Sequence, residues 1–81
     1  MRQIPFKLEN LRVGLVYNAG GDLFRLAEVV DEKKKIFTLV GLNGYTKGNI
    51  YPSFQFHHRY ENNPKLTLWE DEPLLSLEEM L

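Results

Sequence analysis

Apolar and polar residues alternate with a period of two along much of this chain, which is organised around the run from Leu23 to Leu42. Leu23 to Val30 and Ile36 to Leu42 are rich in β-branched and aromatic residues, which suit a pleated, half-buried surface. Between them lies a charged stretch, Asp31 to Lys35. The pattern predicts a β-hairpin with a solvated tip, placed in the middle of a small antiparallel sheet. In the first arm Phe24 and Leu26 share one face, opposite Leu23, Arg25 and Ala27. In the second, Phe37 and Leu39 oppose Ile36, Val40 and Leu42. Both faces are therefore partly apolar, so one forms the core and the other needs a cover. The C-terminal tail is one candidate; a second copy of the chain meeting Ile36, Val40 and Leu42 is the other.

The same alternation predicts a strand over Leu11 to Tyr17, with Leu11, Val13, Leu15 and Tyr17 on one face. Asn18-Ala-Gly-Gly-Asp22 follows as a sharp turn. Upstream, residues 1–10 read as an edge strand or extended arm, because Pro5 cannot donate to a central ladder. Two glycines and a proline mark Asn43 to Pro52 as a loop. Ser53 to Tyr60 returns to strand, with Phe54, Phe56, His58 and Tyr60 on one face, and Leu66 to Trp69 forms a short last strand after the Asn62-Asn-Pro64 turn. Beyond Glu70-Asp-Glu72, Pro73 to Leu81 carries Leu74, Leu77, Met80 and Leu81 at helical spacing. Proline in the first turn and acids before it suit a helix N-terminus. The expected fold is mainly β: a small five-stranded antiparallel barrel over residues 1–69, followed by an acidic, leucine-rich helix or tail over 70–81.

The order Leu-Arg-Val-Gly-Leu-Val-Tyr, glycine turn, Leu-Phe-Arg-Leu-Ala-Glu-Val-Val-Asp, charged loop, Ile-Phe-Thr-Leu-Val-Gly-Leu resembles the opening of an SH3-like barrel of the Tudor or KOW type. It is also similar to the small SH3-like proteins of bacteriophages and mobile elements. The likeness covers roughly Leu11 to Trp69, rests on pattern without a signature motif, and implies a binding module.

Composition sharpens this picture in three ways. At 43% hydrophobic and 26% charged, the chain has the balance of a folded domain, not a disordered one. Without cysteine it has no disulfide framework, thiolate nucleophile or cysteine-based zinc site, so the core must suffice by itself or be completed by another subunit. No apolar run nears the roughly 20 residues that span a bilayer, and the N-terminal stretch is not that of a signal peptide, so no membrane association and a cytoplasmic setting are expected. Charge is unevenly placed. Residues 1–60 hold nine Lys and Arg against five Asp and Glu, whereas residues 61–81 hold one Lys against six acids. A modestly basic body thus carries an acidic tail.

Candidate chemistry is sparse. His57 and His58 are neighbours on a predicted strand and point to opposite faces, so one metal ion cannot take both, and no third ligand stands at motif spacing. A partly buried His58 and a surface His57 are expected. Ser53 and Ser76 lack the strand-turn-helix glycine context that exposes a nucleophile. The run from Gly41 to Gly48 lacks the Gly-Lys-Ser/Thr ending of a phosphate cradle. Neither an enzyme nor a cofactor is indicated. The leading expectation is a non-catalytic protein-interaction or regulatory module with Trp69, Tyr45, Tyr51, Arg59 and His57 exposed to a protein partner. The alternative is a nucleic-acid-binding barrel using Lys33, Lys34, Lys35, Lys47 and Arg59, with Tyr45, Tyr51 and Trp69 for stacking. Tyr17, Phe24, Tyr45, Tyr51 and Phe54 could together cage a cation; a plain aromatic core is the simpler reading.

Overall fold

A computed structural model describes residues 2–70. Among them, six strands form one antiparallel sheet: β1 (Gln3–Ile4), β2 (Val16–Ala19), β3 (Asp22–Asp31), β4 (Ile36–Gly41), β5 (Ile50–Gln55) and β6 (Leu66–Trp69), in the spatial order β1-β6-β2-β3-β4-β5. β3 and β4 form the central hairpin, in register from Phe24 opposite Gly41 to Asp31 opposite Ile36, with irregularities after Leu26 and Val29. Its tip is built locally. The Lys34 N–H donates to Asp31 Oδ1 at 3.0 Å, and Lys35 closes the turn at φ 55°.

Strand alternation sorts the side chains onto two faces. The inner face carries Tyr17, Leu26, Phe37, Leu39 and Leu68, and Phe6, Leu8, Leu11, Leu15 and Phe56 from the connecting segments pack over it. Phe56 is the hub of this cluster, with ring centroids 5.0 Å from Tyr17, 4.9 Å from Phe54 and 5.9 Å from Phe37. Burial of each such side chain is worth about 1.5–3 kcal/mol. The outer face holds a second, smaller cluster of Val16, Leu23 and Leu42, with Trp69 packed against it.

The expected closed, five-stranded barrel does not form. The sheet has six strands and stays open, its edges being β1 and β5. Closure would pair those two edges, and both are unsuited to it. β1 is two residues long and is stopped by Pro5. In β5, Phe54 pairs with Phe37 and Tyr51 with Leu39, so Pro52 and Ser53 oppose the single Thr38 as a bulge. Thr38 Oγ1 donates to the Pro52 carbonyl at 3.1 Å, and Pro52 has no N–H to offer a further strand.

Two strand expectations also change. Leu11 to Leu15 is not strand. Gly14 turns the chain at φ 98° and leaves Val13 51% exposed, while adjacent Leu15, Val16 and Tyr17 are all buried. At the other end, β5 stops at Gln55 and His58–Asn62 winds into a 3-10 turn, so His58 is exposed and not partly buried. The helical segments among the described residues are all 3-10 turns of three to five residues, and the helix expected over 73–81 lies outside those residues. No helix among them is long and apolar enough to cross a membrane.

Long-range polar contacts fasten the connections. The Leu8 N–H donates to Glu61 Oε2 at 2.8 Å, tying the N-terminal segment to the turn after β5. Asn43 Oδ1 accepts from the Leu23 N–H at 2.9 Å, and Asn43 Nδ2 donates to the Gly21 carbonyl at 3.0 Å. The loop between β4 and β5 folds back so closely that a Cβ on Gly41 would lie 1.8 Å from the Thr46 carbonyl oxygen. Gly41 is thus a packing requirement, whereas Gly44 and Gly48 serve the turn through φ of 57° and 83°.

Candidate functional site

The segments that cover the inner face do not reach its far end, where β2 turns into β3. There a cavity of about 230 Å³ is lined by Tyr17, Ala19, Asp22, Phe24, Leu39, Tyr51 and Phe54. The walls come from β2, β3, β4 and β5, so strand register positions them. Phe24 and Tyr51 meet edge to face at 5.6 Å, Phe24 and Tyr17 stack at 6.0 Å, and Phe54 stands 6.2 Å from Tyr17. Leu39 is buried; Phe24, Tyr51 and Phe54 are half-buried and present ring surface to the cavity.

Tyr17 lies deepest of the four rings. Burial pushes its hydroxyl up to about 12, and the neighbouring Tyr60 adds to the shift. The ring is therefore neutral across the physiological range. Asp22 is exposed and contributes the one carboxylate among the lining residues. Aromatic faces carry negative electrostatic potential, so rings and carboxylate together favour a positive charge.

Four of the five residues considered for a cation cage, Tyr17, Phe24, Tyr51 and Phe54, converge here. The fifth, Tyr45, sits in the 3-10 turn Gly44–Thr46 and is fully exposed, away from the others. Asp22 was legible only as a turn residue, although the period of two already places it on the face of Phe24.

The five residues expected to face a partner do not form one surface. Tyr51 is a cavity wall. Trp69 is half-buried on the outer face, with Nε1 donating to Thr67 Oγ1 at 3.0 Å. Arg59 lies over the Tyr60 ring at 5.8 Å, and His57 meets the edge of the same ring at 5.5 Å. Of the three residues expected in a contact between copies, Leu42 is buried in its own chain, while Ile36 and Val40 are half-buried on the outer face. Among the described residues no group of three or more His, Asp or Glu could hold a metal ion. Protein-family models, curated proteins and solved structures give no match to this chain.

Proposed function

We propose that the chain is a non-catalytic protein-interaction module that receives one side chain of its partner in the aromatic cavity. The observation that carries this reading is the convergence of Tyr17, Phe24, Tyr51 and Phe54 with Asp22 around a cavity of about 230 Å³. A half-open apolar site with one placed polar group is the usual form of a recognition pocket. The favoured occupant has an apolar stem and a positive end, which describes lysine or arginine. Its stem lies along the rings and its charge faces their π-clouds and Asp22. The cation–π part is worth about 0.5–2 kcal/mol, and the exposed carboxylate adds modestly because water and salt screen it.

Calorimetry with short peptides differing at one position tests this. Peptides with Lys, trimethyl-Lys or Arg should bind several-fold to tenfold more tightly than those with Leu or Glu. Phe24→Ala and Asp22→Asn should each weaken that preference in a protein that remains folded. Equal affinity for Glu and Lys peptides, or no binding of any of them, would end the reading.

A further inference from the structure

We infer that a second surface, at the opposite end of β4 from the Gly41 loop, binds the phosphate backbone of single-stranded nucleic acid. Two basic stretches far apart in sequence meet there. Gln55 Nε2 donates to the Lys34 carbonyl at 3.2 Å, and the Phe56 N–H donates to the Lys35 carbonyl at 2.9 Å. The hairpin tip Lys33-Lys34-Lys35 is thereby held beside the start of His57-His58-Arg59.

Three acids of this region are held in contacts of their own. Asp31 caps the Lys34 N–H, Glu32 pairs with Lys35 at 2.8 Å, and Glu61 holds the Leu8 N–H. Glu28 on β3 pairs with Thr38 of β4, on the outer face. Lys33, Lys34 and Arg59 remain as exposed cations, and His57 and His58 are also exposed.

Planar groups set this surface apart from an ordinary charged loop tip. Arg59 and His57 flank Tyr60, at 5.8 Å and 5.5 Å from its ring centre. Aromatic rings, imidazoles and guanidinium planes are what unpaired bases stack upon, beside cations that track the phosphates. An acidic peptide would use the cations and leave the planar groups idle. Lys47 takes no part. It sits in the loop at the other end of β4, where the Gly48 N–H donates to the Gly41 carbonyl at 2.9 Å.

Fluorescence anisotropy with a labelled 12-nucleotide oligouridine tests the inference. Three phosphate contacts, by Lys33, Lys34 and Arg59, predict about 20-fold weaker binding at 200 mM than at 50 mM salt. The triple variant Lys33→Ala, Lys34→Ala, Arg59→Ala should abolish most of that dependence, whereas Lys47→Ala and Phe24→Ala should leave it unchanged. Polyglutamate at equal charge should displace the oligonucleotide poorly. No binding at 50 mM salt, an equal effect from Lys47→Ala, or equally effective displacement by polyglutamate would overturn the inference.

Discussion

The two faces of the sheet solve the same burial problem differently. The inner face is covered by Phe6, Leu8, Leu11, Leu15 and Phe56, all from connections, yet that cover leaves a cavity at the β2–β3 end. The outer face has three buried residues, Val16, Leu23 and Leu42, with Trp69 packed against them. A larger core with an opening stands against a smaller cluster flanked by Trp69. The aromatic cavity therefore lies where the cover ends, on the face with more apolar area than its connections can reach.

The comparison breaks first at Gly41, whose loop carries Leu42 into the outer cluster. Gly41→Ala drives a Cβ into the Thr46 backbone, so a loss above ~4 kcal/mol is expected. Urea denaturation with an unchanged midpoint would show that the loop is dispensable. Next, Phe56→Ala should cost about 3–5 kcal/mol and Leu23→Ala about 2–3 kcal/mol, given the range for buried truncations. Equal losses would mean that the two clusters are energetically one core. Glu61→Gln, which replaces a charge-assisted acceptor of the Leu8 N–H, should cost about 1 kcal/mol and shows how firmly the inner cover is fastened. At neutral pH the smallest effect is that of Tyr17, which shows only in alkali. The Tyr17 hydroxyl stays protonated to about 12 in the folded chain against 10.0 as the ordinary value. The folded state therefore holds a proton that the unfolded state releases, and this contribution is lost as pH rises from about 10 to about 12, by at most ~1.4 kcal/mol per pH unit. Tyr17→Phe should flatten that part of the stability profile.

The central hairpin was legible because its two arms are rich in β-branched and aromatic residues and its tip is unmistakably polar. Legibility failed where local pattern and tertiary packing disagree. Leu11, Val13, Leu15 and Tyr17 alternate like a strand, but Gly14 takes φ 98° and the chain turns there. Phe54, Phe56 and Tyr60 do share the inner core, reached through a 3-10 turn that puts His58 outside. Barrel closure depends on whether two edges can pair. Pro5 and Pro52 were visible, but the opposition of Pro52 and Ser53 to the single Thr38 depends on register, which periodicity does not specify. Of the candidate site, four rings could be named in advance. Asp22 and the exclusion of Tyr45 came from the placement of the strands.

β1 and β6 lie side by side, and the Glu70 N–H donates to the Arg2 carbonyl at 2.9 Å, with the two side chains 3.9 Å apart. The described chain thus enters and leaves at neighbouring points. Such an arrangement suits grafting into a surface loop of a host protein without stretching either partner. A short linker from residue 70 to residue 2, with new ends opened in the exposed Gly20-Gly21 turn, should accordingly yield a circular permutant with the same sheet.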